Sequence, residues 1–434
     1  MERKSVWFWG LFLSIILPFV FMFNPIMFIV VCMLFVWILI KDEKNLSNRT
    51  IVAILATTLF SGVSVLGFRL YDWVILIAVL CSAFRIISKP INTNSLMRIT
   101  LFLIVVVANA FINFGGENVI SEVLRYFISI ALIILVLSFD DFSTENIENM
   151  HEKIQILCIA NLILAFLTFF LSQDTLFKNY ELGYLNTNLF LFSQEIRLFG
   201  FFSDPNKFMA FSACLLFMVE YYIAPSKKRN FTIALLLIAI IASLARTALV
   251  MVVAYVVLKL LKCIEKKSKG LSYTVIIVLA LGIGLLYFSG IIDKLIEEAY
   301  ALMAEILHRD RTAEINGSVS EDSRIVIWKE AIEFIKKKVI IGYGWLSNEV
   351  LLPYPTHNTV LALLLDSGII GLVSFLFLFS PLLKIDRWDI SVSMIIVPAL
   401  FLDMQNYRLY FLLLALLMLT NNKSVSKQRL KNVR

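Results

Sequence analysis

Residues Val6 to Phe23 read VWFWGLFLSIILPFVFMF, and residues Pro25 to Ile40 read PIMFIVVCMLFVWILI, both without a charged side chain. A helix needs roughly 20 apolar residues to cross the hydrocarbon layer of a membrane, and both runs come close to that length. Comparable runs recur along all 434 residues, of which 60% are hydrophobic, whereas soluble domains hold about 45–50% apolar residues. The sequence therefore predicts an all-α fold, a polytopic transmembrane helical bundle in a lipid bilayer.

About fourteen apolar runs qualify as membrane spans. Because fourteen is even, both termini are predicted on the same side of the membrane. The predicted spans are 6–23, 25–40, 50–67, 72–88, 98–114, 120–138, 153–172, 207–224, 231–244, 247–262, 271–290, 357–380, 390–404 and 407–421.

The distribution of basic residues predicts the orientation. If the termini are cytoplasmic, 24 of the 39 Lys and Arg residues fall in cytoplasmic segments, and the short outer turns hold only Arg69, Arg125, Arg246 and Arg408. Cytoplasmic loops carry such an excess in membrane proteins. We therefore expect a multi-pass protein of the inner (cytoplasmic) membrane with both termini in the cytoplasm. The net charge of +7 follows from this bias, so no nucleic-acid partner is expected.

The stretch 231–262 is too long for one span, at about 1.5 Å per residue. It is interrupted by Ser243, Arg246 and Thr247. A single helix would also place the basic residues of 259–269 on the outer side. The charge bias therefore favours two short helices with Arg246 at their outer junction.

The chain divides into three parts by the position of its longest loop. The predicted parts are a bundle of eleven spans at 1–290, which includes an outer loop at about 173–206, a large extracytoplasmic loop at 291–356, and three spans with a basic cytoplasmic tail at 357–434. The large loop should contain short amphipathic helices, at Ile291–His308 and at Ser323–Lys338. For the second, Asp322 or Ser323 is the expected N-cap, and its apolar face should consist of Ile325, Trp328, Ile332 and Ile335.

Several cationic side chains gather at the predicted outer face. Arg197, Arg246, Arg324 and Arg408, together with His357, fall at outer helix ends or in outer loops. An arginine within a membrane costs about 2.5–3.5 kcal/mol at mid-bilayer, so such a group usually meets a counter-charge. The counter-charge could be protein carboxylates or the phosphates of a lipid diphosphate, whose oxygens suit the guanidinium fork.

Four segments, taken in order, resemble the bacterial O-antigen polymerase and O-antigen ligase superfamily over about residues 197–371. The run THNTVLALLLDSGIIG at 356–371 resembles the family's His-Asn, acidic and Gly-x-x-Gly signature. The others are Arg197-Leu198-Phe199-Gly200 with Asp204-Pro205-Asn206, Ser243-Leu244-Ala245-Arg246-Thr247, and Arg324 with Trp328 and Gly342-Tyr343-Gly344. The family often has a proline before its Gly-x-Gly, where this chain has Lys338-Val339-Ile340-Ile341.

The resemblance implies a metal-independent glycosyltransferase that acts at the outer face on undecaprenyl-diphosphate-linked oligosaccharide. A sugar on a lipid diphosphate has a good leaving group, so catalysis needs cations for the developing charge and a base for the incoming hydroxyl. By the resemblance, Arg246 and Arg324 would act as the catalytic cations and His357 as the base. No cofactor and no metal are expected. The matched positions expected to bind diphosphate or glycan are Arg197, Asn206, Asn358 and Trp328.

Each of these residues also has a structural interpretation. His357 could be an interfacial histidine, Arg246 a snorkelling topological stop, and Arg324 merely the start of a surface helix. Asp366 is expected to pair with a nearby charge, and Gly368 with Gly371 to allow close helix packing. Arg69, Arg125 and Arg408 have no motif partner, and their expected role is interfacial.

Three functions remain open from the sequence. The first is a polymerase of lipid-linked repeat units for capsular polysaccharide, exopolysaccharide or O-antigen, working beside a flippase and a chain-length regulator. The second is a ligase that transfers the glycan to lipid A core or to a protein hydroxyl. The third is a flippase or transporter, which internal repeats and midplane charges would favour; the sequence shows no convincing repeat between its halves.

Overall fold

A computed structural model describes residues 2–89, 91–112, 117–139, 144–171, 181–182, 185–187, 198–265, 321–384, 390–402, 404–405 and 407–432, with the single residues 289, 294 and 298. The described residues are mainly helical, with two short hairpins. The helices are α1 Glu2–Phe23, α2 Pro25–Ile40, α3 Leu46–Thr58, α4 Leu70–Cys81, α5 Ala83–Ser88, α6 Thr93–Ile112, α7 Glu117–Leu137, α8 Thr144–Asn149, α9 His151–Leu171, α10 Pro205–Tyr222, α11 Lys227–Ala242, α12 Arg246–Glu265, α13 Glu321–Lys337, α14 Ser347–Val350, α15 Thr359–Leu378, α16 Ile390–Phe401 and α17 Arg408–Asn432; a 3-10 helix covers Ser380–Lys384. The strands are β1 Val63–Val65, β2 Phe68–Arg69, β3 Glu181–Leu182 and β4 Leu185–Thr187.

Within the described part of the chain, five helices are long and apolar enough to cross a membrane. They are Ser5–Phe23, Thr93–Ile112, Val119–Leu137, His151–Leu171 and Thr359–Leu378. Shorter apolar helices cover Ile26–Ile40, Leu70–Cys81, Thr247–Leu260 and Arg408–Thr420. These findings confirm a helical, multi-pass membrane protein. The count of fourteen spans stays a prediction, and the eleventh span, 271–290, lies outside the described residues except for 289.

The predicted span 50–67 is wrong in its second half. Helix α3 ends at Thr58, and the chain then turns into the hairpin of β1 and β2. Leu66 and Gly67 both have positive φ, 53° and 79°, which is the backbone of a two-residue type I′ turn. This hairpin pairs through β1 with β4, so that the sheet order is β2-β1-β4-β3. The apolar composition of 59–66 concealed the turn, because strand and helix are both apolar there.

The stretch 231–262 forms two helices, as the sequence predicts. Helix α11 ends at Ala242 and α12 begins at Arg246. Leu244 between them has φ 47°, and the Ser243 hydroxyl donates to the Ile240 carbonyl while accepting from the Ala245 N–H. The junction is therefore a tight turn stabilised by Ser243.

Helix α13 differs from the predicted loop helix in its start and in its buried face. It begins at Glu321, so Asp322 and Ser323 lie in its first turn rather than at its N-cap. Ile327 and Ala331 are buried against Leu352 and Leu365, whereas Ile332 is 42% exposed. The buried face of α13 is rotated about the helix axis from the predicted one, because α13 packs against α15 and against the loop that precedes α15. The predicted stretch Ile291–His308 lies outside the described residues apart from 294 and 298.

Helix α15 is broken at Gly368, which has φ 62° and ψ −162°. The segment 339–344 supplies the hydrogen bonds that the break leaves open. The N–H groups of Tyr343 and Gly344 donate to the carbonyls of Leu365 and Asp366, each at 2.8 Å. In the other direction, Ile369 and Ile370 donate to the carbonyls of Val339 and Ile340 at 2.8 and 3.2 Å. Irregular backbone in a membrane bundle needs such partners within the protein, so the segment 339–344 and the broken helix form one unit.

Candidate active site

A cavity of about 610 Å³ lies among several helix ends. Its volume is within the range of about 300–1,000 Å³ that is typical of ligand sites. The described residues that line it are Leu66, Gly67, Phe68, Arg69, Tyr71, Asp72, Ser121, Glu122, Leu124, Arg125, Asp204, Asn206, Lys207, Leu346, Asn348, Pro355, His357, Asp366, Leu402, Met404, Gln405, Tyr407 and Arg408. These residues belong to outer segments of the predicted topology or to the adjoining helix ends.

The cavity brings together His357 and Asn206 from the predicted site. It also contains Arg69, Arg125 and Arg408, which the sequence analysis interprets as interfacial. The distribution of basic residues also predicts all three on the outer side. What the sequence lacked was a sign that these separate turns meet at one cavity.

Most charged side chains of the cavity wall have a partner of opposite charge. Arg408 Nε lies 2.9 Å from Asp72 Oδ1, and both side chains are buried, at 5% and 4% exposure. Arg125 pairs with Glu122 at 3.0 Å, and Lys207 Nζ lies 3.3 Å from Asp204 Oδ2.

Arg69 belongs to the same network. The side chain of Tyr71 raises the pKa of Arg69 above its ordinary value, and the carboxylates of Asp72 and Asp204 add to this effect. This guanidinium therefore stays charged although burial acts in the opposite direction. Lys207 lies within electrostatic range of both Arg69 and Arg125.

The backbone of His357 is held in a conformation that few side chains adopt. Its φ is 48°, in the left-handed region where a non-glycine residue is uncommon. Of the four described non-glycine residues with positive φ, Leu66, Leu346 and His357 line the cavity. Such strain persists only where the surroundings impose it, and it clusters at functional sites.

Hydrogen bonds on both sides fix His357. The Thr356 N–H donates to Asn348 Oδ1 at 3.0 Å, and the Thr356 carbonyl accepts from Trp328 Nε1 at 2.8 Å. On the other side, Asn358 Oδ1 caps α15 by accepting from the N–H groups of Val360 and Leu361, and Asn358 Nδ2 donates to the Leu400 carbonyl at 2.9 Å.

Asp366 supports this arrangement from within α15. Its Oδ1 accepts from the Ser347 hydroxyl at 2.7 Å and from the Asn348 N–H at 3.2 Å. Asn348 in turn holds the backbone of Thr356. The acidic residue of the quoted run is thus connected to His357 through Asn348 and Thr356.

The segment before α10 has a clear local reason for its sequence. Asp204 is the N-cap of α10 and accepts from the Lys207 N–H at 3.0 Å, and Pro205 occupies the first helical position. Both residue types are favoured at these positions. The cap fixes the start of α10 at the cavity, with Asn206 and Lys207 in its first turn on the wall.

The remaining predicted residues are placed as follows. Trp328 and Asn358 are not on the described cavity wall; both instead hold the backbone around His357. Arg197 lies outside the described residues, as do the side chains of Arg246 and Arg324. Leu198, the residue after Arg197, donates its N–H to the Ala242 carbonyl at 3.3 Å, which brings two of the quoted motifs together.

The described residues contain no group of three or more His, Cys, Asp or Glu placed to hold a metal ion. Metal-independent chemistry stays a prediction.

Comparison with models of known protein families gives a match. Residues 231–376 match a family model described as O-Antigen ligase, which is 146 of the 434 residues. No curated protein matches the chain. The matched region contains Arg246, Arg324, Trp328, His357 and Asn358, whereas much of the cavity wall, including Arg69 and Arg408, lies outside it. Residues 231–376 of this chain are thus similar to the O-antigen ligase family, which supports the resemblance to the superfamily of O-antigen ligases and polymerases.

Proposed function

We propose that this protein is a membrane glycosyltransferase that polymerises undecaprenyl-diphosphate-linked oligosaccharide repeat units at the outer face of the cytoplasmic membrane. The observation that carries the proposal is His357, held with a strained backbone on the wall of a cavity. The family match supports an enzyme that acts on glycans.

In the proposed reaction, His357 removes the proton from the hydroxyl group of the acceptor sugar. The hydroxyl oxygen then forms a bond to the anomeric carbon of the donor glycan, and the bond from that carbon to the diphosphate oxygen breaks. The proton stays on the imidazole until it is released to solvent, and the diphosphate leaves with the electron pair. General-base catalysis of this kind contributes about 10²–10⁴-fold to a rate.

The developing charge on the leaving diphosphate needs cations. Arg246 and Arg324 are proposed for this role, with Arg197 in diphosphate binding. The backbone contact between Leu198 and Ala242 supports a shared location for Arg197 and Arg246.

Two other functions remain candidates. A ligase would use the same donor chemistry but transfer the glycan to lipid A core or to a protein hydroxyl. A flippase would move the lipid-linked glycan across the membrane without forming a glycosidic bond. The strained His357 favours an enzyme over a carrier, because transport does not require a base fixed beside the substrate.

One experiment distinguishes the three. The substrate consists of lipid-linked repeat units isolated from the producing strain after the gene for this protein has been deleted. Purified protein in lipid nanodiscs is incubated with these units. A polymerase yields longer lipid-linked chains and free undecaprenyl diphosphate. Product formation only when lipid A core or a protein acceptor is added indicates the ligase. If the lipid-linked units only move from one leaflet to the other, as measured in proteoliposomes, and no glycosidic bond forms, the protein is a carrier.

A further inference from the structure

We propose that the wall formed by Phe68, Tyr71, Gln405 and Tyr407 binds an uncharged sugar of the glycan, separately from the diphosphate. This inference deepens the proposed function. It rests on that function only for the identity of the glycan. It is carried by a buried polar atom on each of two cavity-lining residues, neither of which has a hydrogen-bond partner among the residues that the structure describes.

The two groups are the Oε1 atom of Gln405 and the hydroxyl of Tyr407. Gln405 is 8% exposed and Tyr407 6% exposed. Neither atom has a hydrogen-bond partner in the described part of the chain, and both residues line the cavity. Buried polar groups in native proteins are usually satisfied, so an unpaired pair beside a cavity indicates a missing partner.

The chemistry of these atoms matches sugar hydroxyl groups. The amide oxygen of Gln405 accepts a hydrogen bond, and the Tyr407 hydroxyl can donate or accept one. The rings of Phe68 and Tyr71 belong to the same wall and offer apolar surface to the carbon-bound hydrogens of a sugar ring. A pocket with apolar rings and a few well-placed polar groups is the usual form of a small-molecule site.

The charge of the wall favours a neutral ligand over a diphosphate. Among the described lining residues, four cationic side chains are balanced by four carboxylates. The cations are Arg69, Arg125, Lys207 and Arg408, and the carboxylates are Asp72, Glu122, Asp204 and Asp366. A diphosphate entering this part of the cavity would compete with the carboxylates already paired to the cations. In the proposed reaction the leaving diphosphate is assigned instead to Arg246 and Arg324.

The sugar-binding wall also lies outside the region of the family match. Phe68 and Tyr71 precede residues 231–376, and Gln405 and Tyr407 follow them, whereas His357 lies within. The catalytic base and the sugar-binding groups therefore come from different parts of the chain. This division allows the wall to determine which glycan is used while the reaction stays the same.

The test measures binding rather than turnover. The probes are the repeat-unit oligosaccharide, released from its lipid by mild acid so that it carries no phosphate, and inorganic pyrophosphate. Binding of each to the full chain in nanodiscs is measured by saturation-transfer NMR with competition. The test variant combines Gln405→Met with Tyr407→Phe, and Tyr354→Phe is the control because Tyr354 is exposed and not on the described wall.

We expect the double variant to bind the oligosaccharide at least tenfold more weakly, with pyrophosphate binding changed less than twofold. The control should bind both probes as the wild type does. Unchanged oligosaccharide binding in a folded double variant would overturn the proposal, as would loss of pyrophosphate binding or no oligosaccharide binding by the wild type. If the oligosaccharide binds and the double variant loses it, but no chain growth occurs, the subsite stands and the proposed reaction fails.

If the double variant does not fold, the two single variants and a thermal unfolding curve of each replace it. Tyr407→Phe removes one oxygen atom and keeps the ring, so it is expected to preserve the fold. A single variant that unfolds at the wild-type temperature and binds the oligosaccharide with wild-type affinity would count against its residue.

Discussion

Gly342 lies against the backbone of Leu365 and Asp366, and Gly368 lies against the backbone of Ile340 and Ile341. Both contacts are so close that neither position has space for a side chain. A Cβ on Gly342 would be 2.6 Å from the Leu365 carbonyl oxygen, and a Cβ on Gly368 would be 2.4 Å from the Ile340 carbonyl. Both also have positive φ, 67° and 62°. This contact joins the end of the large loop to the broken helix that carries Asp366, and the loop then continues to His357.

The first prediction concerns this contact. Gly368→Ala should destabilise the protein strongly, because it adds a steric clash with backbone atoms to a strained φ, which alone costs about 1–3 kcal/mol. Gly67→Ala is the matched control, since Gly67 has φ 79° but nothing within 4 Å of its Cβ position. Thermal unfolding in detergent should show a much larger decrease for Gly368→Ala. Equal decreases would mean that the clash is relieved at little cost.

The second prediction concerns the proposed catalytic groups. His357→Ala should abolish chain growth with expression and folding intact, because the loss of a general base costs about 10²–10⁴-fold in rate. Arg324→Ala should have the same effect through loss of charge stabilisation. His151→Ala is the control, because His151 contacts Thr232 and is not on the described cavity wall. Wild-type activity in either test variant would remove that residue from the site.

The third prediction concerns the connection from Asp366 to His357. Asn348→Ala should lower kcat with little change in KM, because it releases the Thr356 backbone that positions His357. A loss of tenfold or more is expected, since small misplacements of catalytic groups are costly. Asn348→Asp keeps the acceptor oxygen for the Thr356 N–H and should recover part of the rate. If both variants lose activity equally while remaining folded, the hydrogen bond to Thr356 is not the cause.

The fourth prediction concerns the buried ion pair of Asp72 and Arg408. Asp72→Ala leaves an uncompensated buried charge and should lower the free energy of unfolding by about 3–5 kcal/mol. Replacing both residues, with Asp72→Leu and Arg408→Met, should be less destabilising than Asp72→Ala alone. Glu333→Ala, which breaks an exposed pair with Lys336, should leave the unfolding temperature unchanged. An equal loss from the single and double variants would show that packing, not charge, matters there.

The fifth prediction concerns metal ions. Chain growth should be unaffected by chelators, because arginine side chains are proposed to neutralise the leaving diphosphate. The assay of lipid-linked products is repeated with excess chelator and then with added divalent cations. Inhibition that the cations reverse would contradict the proposed mechanism.

Part of the candidate site was predictable because its residues occur in short, local motifs. Asp204-Pro205 is a helix start, and Ser243 to Arg246 is a helix junction, and both have the structures that their sequence indicates. The role of Gly368 was not predictable. Its spacing from Gly371 indicated helix packing, but the group that approaches Gly368 is the segment 339–344. Such a partner depends on where a distant loop folds back.

The sequence by itself determined that this protein is a helical membrane protein, because the length and composition of apolar runs are local properties that the bilayer selects directly. It also indicated His357 through the run around it. Only the tertiary structure decided that Arg69, Arg125, Arg408, Gln405 and Tyr407 share a cavity with His357. Those residues come from three separate segments of the chain, around 69, 125 and 405–408. Their meeting depends on how the helices pack, a long-range property for which no local pattern exists.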